Sequence, residues 1–230
     1  DGAPGFDDPS TPTPVLDFTR LGPNWQEDTN FNQVLRGVDI VIGHGTPGAT
    51  GVKMVGAQGC SVEDVSVTVG SGYSGITGGA GAGGGHANVR VVGGSVGLDY
   101  TFSMNAPATA GATLIGQTQA AILYPRGLEA ATFVGAHIQP AHASVPALLS
   151  LGNHTDRSFG EVSFVDSIVE YPIDTSAIRE GCVAFVTAHS LYLQNVYVRR
   201  CAHIVPGVPA SSSSSSAASA SSSSAFSFSA

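Results

Sequence analysis

A repeat of about 24 residues constrains the fold of this chain more than any other feature. A small residue followed by a short apolar strand recurs at Gly51-Val52-Lys53-Met54, Gly75-Ile76-Thr77, Gly97-Leu98-Asp99-Tyr100, Ala121-Ile122-Leu123-Tyr124, Ala147-Leu148-Leu149 and Cys182-Val183-Ala184-Phe185. From Val52, the aligned apolar positions advance by 24, 22, 24, 26 and 35 residues. A unit of this size cannot bury its own apolar face, so neighbouring units must stack and share one core. The repeat therefore predicts a solenoid.

A second recurring element alternates apolar and polar residues with period two, which indicates half-buried strands. It occurs at residues 38–42, 65–69, 89–92, 112–115, 132–134, 162–165 and 196–198. Clusters of Gly, Asn or Asp separate the elements, and no segment has a sustained helical period. We predict an all-β fold, a single-stranded right-handed parallel β-helix over residues 30–206. A β-sandwich fits less well, because the spacing is a repeated two-part unit and not a succession of hairpins.

The two ends of the chain depart from the repeat. Residues 1–29 are rich in Asp and Pro and are predicted to form an irregular lead-in. Residues 207–230 form a low-complexity Ser/Ala linker or tail, and 211–224 contain no large apolar residue, so we expect this tail to be disordered. The chain opens with Asp1 and has no signal-peptide pattern, as expected for a mature chain or a fragment.

Composition argues against several functional classes. Charged residues make up 11% of the chain, and its net charge is −8 with only nine Lys and Arg in total. No basic stripe could follow a nucleic acid backbone, so no nucleic-acid partner is expected. No apolar run reaches the roughly 18 residues of a membrane helix, so no membrane span is expected.

Three cysteines have neither metal-ligand spacing nor the density of a disulfide framework. We expect them to be small buried core residues. A bridge between Cys182 and Cys201 is left open, and it would suit an oxidising compartment. No metal site and no cofactor are predicted.

The segments "GVKMVGAQGCSVEDVSVTVGSGYSGITGG", "HANVRVVGGSVGLDY" and "ATLIGQTQAAILYPRG" resemble the glycine-rich coils of the pectate lyase superfamily, including its rhamnogalacturonase-like and epimerase-like members. The resemblance covers residues 30–205. It implies a secreted or extracellular protein with a groove along one sheet for a polysaccharide or cell-wall glycan. Members of the superfamily are hydrolases, lyases, epimerases or non-enzymatic adhesins.

This sequence departs from the motifs of two enzyme types in the superfamily. Of the polygalacturonase-type motifs it has His44-Gly45 alone, with no Asp pair within the coils, and we interpret His44-Gly45 as a turn. Calcium-dependent pectate lyases need clustered carboxylates to hold the cation, and the repeats contain no such cluster. A calcium-dependent lyase is therefore disfavoured.

Strand alternation selects candidate catalytic residues. It predicts that five residues point inward, namely Val52, Ile76, Leu98, Ile122 and Leu148, and that their neighbours point outward, namely Lys53, Thr77, Asp99, Leu123 and Leu149. Asp99 is then the only outward carboxylate of the predicted sheet. A glycosidase needs two carboxylates about 5–9.5 Å apart. We therefore predict Asp99, Asp156 and His154 as catalytic residues, with Asp156 as the partner carboxylate. The alternative for Asp99 is a solvated or turn-capping carboxylate.

Five further residues are predicted to contact the substrate: Lys53, Arg126, Arg157, His86 and Tyr73. The cations would bind or neutralise an anionic group, His86 would lie on the groove rim, and Tyr73 would stack on a sugar. Ordinary surface and turn roles are the alternative for each. Two functions follow: a polysaccharide hydrolase or lyase, or a non-catalytic glycan-binding, adhesive or structural surface module. The scarcity of cations favours neutral or weakly charged glycans.

Overall fold

Three parallel β-sheets, each taking one strand from every coil, wind the chain into a β-solenoid of about six turns. The computed structural model describes residues 4–19, 29–101, 108–125, 130–150, 161–173, 181–206 and 208–209. Among these residues there is no α-helix. The predicted all-β solenoid is therefore confirmed.

Each of the three sheets has seven strands, which are named here in chain order. Sheet A contains β1 (Thr13–Asp17), β4 (Ala49–Val55), β7 (Ser74–Gly79), β10 (Val96–Asp99), β13 (Ala120–Leu123), β16 (Leu148–Ser150) and β19 (Phe185–Thr187). Sheet B contains β2 (Val34–Arg36), β5 (Ser61–Glu63), β8 (Gly85–Ala87), β11 (Ala108–Ala110), β14 (Ala131–Val134), β17 (Glu161–Val165) and β20 (Ser190–Gln194). Sheet C contains β3 (Asp39–Val41), β6 (Ser66–Gly70), β9 (Arg90–Gly93), β12 (Thr113–Ile115), β15 (His137–Gln139), β18 (Ile168–Glu170) and β21 (Tyr197–Arg199).

A short turn with one left-handed residue joins sheet B to sheet C in every coil. These residues have φ between 50° and 67° and are Gly37, Asp64, Asn88, Gly111, Gly135, Asp166 and Asn195. Gly, Asn and Asp are the residues that adopt this conformation at least cost. Neighbouring coils are also linked here by side chains, since the Asn88 amide donates to Asp64 Oδ1 at 2.9 Å and the Asn195 amide to Asp166 Oδ1 at 2.6 Å. One such residue per coil keeps the sheets in register.

Stacked inward side chains from all three sheets form the core. Those of sheet A are Val52, Ile76, Leu98, Ile122, Leu148 and Phe185, and each is fully buried. The inward direction predicted for the first five is confirmed. Phe133 and Phe164 of sheet B stack with ring centroids 4.9 Å apart. Burial of a side chain of this size contributes about 1.5–3 kcal/mol, so stability depends on each coil covering the next.

Strands β4 and β7 of sheet A each bend at the glycine that starts the repeat, Gly51 in β4 and Gly75 in β7, because two consecutive residues there face the core. A Cβ built on Gly51 would lie 2.5 Å from the Val67 side chain, and one built on Gly75 would lie 2.5 Å from Val91. Both glycines therefore face the core, as does the apolar residue that follows each of them. Because each glycine and the residue after it both face the core, the residue before the pair and the residue after it both face outward.

The structure corrects the predicted elements in several places. The sequence pattern did not predict sheet B as a separate sheet. Of the alternating segments, 132–134 and 162–165 lie in sheet B, and the others lie in sheet C. In the last coil, Leu148 pairs with Phe185 and not with Val183. Strand β1 lies within the lead-in that was predicted to be irregular, and it pairs with β4.

The last coil is closed by a disulfide between Cys182 and Cys201, which are 19 residues apart in sequence. The bridge that the sequence left open is therefore present. Cys60 is free and buried, as expected for a core cysteine. Beyond the last coil, β22 (His203–Val205) and β23 (Val208–Pro209) form an antiparallel pair. The predicted disordered tail, 211–224, lies outside the described residues.

Candidate functional site

One outward residue from each strand of sheet A forms a row across the coils. The register places Asp17, Lys53, Thr77, Asp99 and Leu123 in line. Neighbouring strands are about 4.8 Å apart, so Lys53 and Asp99 are separated by about 10 Å along the sheet. The predicted outward direction of Lys53 and Asp99 is confirmed.

The prediction that Asp99 is the only outward carboxylate of this sheet is wrong. Strand β1 adds Asp17 to the same row, next to Lys53. Asp17 and Asp99 are three strands apart, or about 14 Å at the usual strand spacing. That separation is beyond the roughly 9.5 Å upper limit for the two carboxylates of a glycosidase, so these two do not form a catalytic pair.

Asp99 points outward but is only 1% exposed. Its Oδ1 accepts hydrogen bonds from the Thr101 backbone N–H at 2.9 Å and from the Thr101 hydroxyl at 2.5 Å. Its Oδ2 accepts a hydrogen bond from the Tyr73 hydroxyl at 2.9 Å. The bonds to Thr101 make an Asx turn at the end of β10. The turn-capping alternative for Asp99 is thus the geometry observed, and its catalytic role stays a prediction.

The same turn occurs at the start of the solenoid. Asp17 Oδ1 accepts hydrogen bonds from the Thr19 backbone N–H at 2.8 Å and from its hydroxyl at 2.5 Å. An Asp-x-Thr sequence ends a strand of sheet A in both places. That pattern is a sequence signal for a capped turn, and it could have identified Thr101 as the partner of Asp99.

Tyr73 lies beside this row and is half-buried. Burial raises the pKa of its phenol well above the ordinary value, and the neighbouring Asp99 carboxylate raises that pKa further. Tyr73 is therefore a protonated donor at neutral pH. Its hydroxyl holds Asp99.

A chain of hydroxyl groups lies next to Tyr73 and Asp99. The Thr50 and Ser74 hydroxyl oxygens are 3.1 Å apart, and those of Ser74 and Thr77 are 2.8 Å apart. Ser74 and Thr77 flank the inward pair Gly75 and Ile76, so the bend brings them together on the outer face. All three hydroxyl residues are buried. Sheet A therefore carries a buried polar network on its outer side, which sequence alternation did not predict.

His86 does not lie on the groove rim. It is the inward residue of β8 and is 1% exposed, with Nδ1 3.4 Å from the Tyr100 hydroxyl. The same hydroxyl lies 3.2 Å from Thr109 Oγ1. Burial lowers the pKa of His86 to about 4, so the ring is neutral at physiological pH. Its predicted position was wrong because the short strand β8 was interpreted as a turn.

The other predicted site residues are Asp156, His154, Arg126 and Arg157, and all four lie outside the described residues. Among the predicted residues that the structure describes, it brings Asp99 and Tyr73 into contact. Lys53 lies in the same row but two strands away.

In the described ranges, no three His, Cys, Asp or Glu side chains are grouped closely enough to hold a metal ion. Over the same ranges, no helix has the length and apolar character needed to span a membrane. Comparison of the chain with protein-family models, curated proteins and solved structures found no match.

Proposed function

We propose that this chain is a secreted, carbohydrate-active β-helix module of the pectate lyase type, which binds a polysaccharide along the outer face of sheet A and does not cleave it. The observation that carries the proposal is the bonding of Asp99. Both oxygens of this carboxylate accept hydrogen bonds from residues that flank strands of sheet A, and Asp99 is almost fully buried. Asp99 is thus suited to positioning Tyr73 and less suited to attacking a sugar.

The repeated scaffold supports an extended ligand. Successive strands of sheet A present outward residues at intervals of about 4.8 Å, and Asp17 and Lys53, which both keep some solvent exposure, are neighbours in one straight row. A chain of sugars also repeats at a short, regular interval. A rigid row of polar side chains can therefore contact several sugar units at once, with little ordering of the protein on binding.

The disulfide supports secretion. Disulfides persist in oxidising compartments and are rare in the cytosol, and Cys182–Cys201 closes the last coil. The resemblance of residues 30–205 to secreted β-helix proteins points in the same direction.

A polysaccharide hydrolase or lyase is the second candidate, and the Tyr73–Asp99 contact favours it. A buried polar network on the outer face of a sheet is the kind of environment in which acid and base groups are found. Tyr73 would then be a proton donor held by Asp99, and a second acid or base would come from the predicted pair Asp156 and His154.

Calorimetric titration of the purified chain with a panel of neutral and acidic oligosaccharides tests the proposal. We expect Tyr73→Ala to weaken binding by about tenfold or more, because an aromatic contact and the donor to Asp99 are both lost. Tyr73→Phe keeps the ring and should retain more affinity. Tyr192→Ala is the matched control, since Tyr192 is an exposed tyrosine on sheet B. Failure of the parent to bind any glycan would refute the proposal, and equal binding by Tyr73→Ala would move the site away from sheet A.

A further inference from the structure

The outer face of sheet C carries a second group of polar and aromatic side chains, separate from sheet A. Strands β15, β18 and β21 each present two outward residues, and these form two rows across the sheet. One row contains His137, Ile168 and Tyr197, and the other contains Gln139, Glu170 and Arg199. Apart from Ile168, these side chains end in planar polar or aromatic groups.

Glu170 is at the centre of this group. Its Oε1 lies 2.9 Å from Arg200 Nη2 and 3.6 Å from Arg199 Nη1. Its Oε2 accepts a hydrogen bond from the Gln139 amide at 3.3 Å, and that amide also lies 3.1 Å from His137 Nε2. The hydrogen bond from Arg200 lowers the pKa of the Glu170 carboxyl. Glu170 is thus a carboxylate at neutral pH, with hydrogen-bond donors on both sides.

A groove of about 250 Å³ lies beside Glu170. Its walls include Gln139, Tyr171, Pro172 and Arg200. The volume is slightly below the roughly 300 Å³ at which small-molecule pockets begin. Tyr197 is 37% exposed and lies on the same face of sheet C as Glu170, two residues before Arg199 on β21, but it is not part of the groove wall.

We propose that this surface binds a neutral, polyhydroxylated ligand, with the chemistry of an uncharged glycan. A hydroxyl group both donates and accepts hydrogen bonds, so a pair of neighbouring hydroxyls can donate to Glu170 and accept from Arg199 or Gln139 at the same time. The ring of Tyr197 offers the apolar surface on which the C–H face of a sugar packs.

Charge argues against an anionic ligand at this surface. The carboxylate of Glu170 is in the middle of the group, and the whole chain has a net charge of −8. Both would repel a polyuronate. The Glu170 carboxylate also offsets one of the two arginine charges. The site is independent of sheet A and does not require Tyr73.

Calorimetric titration with neutral oligosaccharides of glucose, galactose, mannose and xylose, and with oligogalacturonate, tests this inference. Tyr197→Ala and Glu170→Gln should each weaken binding of a neutral oligosaccharide by about tenfold or more, because an aromatic contact or a charge-assisted hydrogen bond is lost. Two matched controls should bind like the parent. Tyr192→Ala removes a tyrosine of the same coil on sheet B, and Glu63→Gln removes a sheet B carboxylate that lies near Arg36.

The outcomes separate this site from the one on sheet A. Loss of neutral-glycan binding in Tyr197→Ala but not in Tyr73→Ala supports the sheet C site, and the reverse result overturns it while leaving the sheet A proposal intact. A parent that binds no neutral oligosaccharide also overturns it. A parent that binds oligogalacturonate more tightly than every neutral oligosaccharide, with that binding lost in Arg199→Ala, would show that the surface is selective for anions, contrary to the inference.

Discussion

Sheets A and C each direct a carboxylate outward, and the two carboxylates differ in almost every other respect. Asp99 of sheet A is 1% exposed and is held by hydroxyl and backbone donors. The side chain of Glu170 on sheet C is 22% exposed and is surrounded by guanidinium groups. In a β-solenoid, strand alternation decides which way a side chain points, but the surrounding groups decide whether it reaches solvent. An outward carboxylate can thus be structural on one sheet and accessible on the next.

The largest expected effect comes from placing a carboxylate one residue earlier on β10, at Leu98. Leu98→Asp would place an unpaired charge in the core beside Ile76 and Ile122. The buried Asp99 next to it is tolerated because Tyr73 and Thr101 donate hydrogen bonds to both of its oxygens. A buried ion without a partner costs at least several kcal/mol. We expect Leu98→Asp to be unfolded, as judged by loss of the β-sheet signal in far-ultraviolet circular dichroism. A soluble, folded variant would show that Leu98 does not face the core.

The two outward carboxylates should differ in their contribution to stability. Asp99→Ala leaves the Tyr73 hydroxyl and the Thr101 donors without their acceptor in a buried site, so we expect the free energy of unfolding to fall by about 3 kcal/mol. Glu170→Ala removes ion pairs near the surface and should cost less than about 1 kcal/mol. Urea denaturation of both variants measures the difference. Equal losses would mean that Asp99 is no more structural than Glu170.

A smaller effect should be a pH dependence of the free energy of unfolding, caused by His86 in the core of the solenoid. The pKa of His86 is lowered to about 4 in the folded chain, against about 6.5 when unfolded. Between these values the unfolded chain binds the extra proton and the folded chain does not, so stability falls as the pH falls. We expect a loss of about 2 kcal/mol between pH 7 and pH 5.

Denaturation at several pH values, with a matched pair of histidine variants, isolates this contribution. His86→Leu should remove most of the loss between pH 7 and pH 5, because the titrating group is gone. His44→Gln, at an exposed position, should keep it. A His86→Leu variant with the same pH dependence as the parent would place the acid-sensitive group elsewhere.

The sequence predicted sheets A and C better than sheet B, for a physical reason. Strands such as β8 and β11 have three residues and a single inward side chain, which is His86 in one and Thr109 in the other. Neither shows an apolar alternation. The residue that marks every coil is the left-handed Gly, Asp or Asn between sheets B and C. Aligning the repeats on Asp64 and Asn88 would have separated the two sheets.

The sequence predicted which way the side chains of the candidate site point, but not which groups surround them. Period two was enough to place Lys53 and Asp99 on the outer face of sheet A. The burial of Asp99 and its contact with Tyr73 depend on how two neighbouring coils stack, and a one-dimensional pattern contains no information on that contact. The group around Glu170 escaped detection for the same reason, because its members come from three strands in different coils.

The central claim is that the module binds glycan without cleaving it, and an assay for cleavage products tests it most directly. The parent chain and Asp99→Asn would be incubated with every glycan that the parent binds, and new reducing ends and unsaturated products would be measured. The account predicts bound glycan and no product from either protein. Product released by the parent, and reduced about a hundredfold or more in a folded Asp99→Asn variant, would contradict it and assign Asp99 a catalytic role.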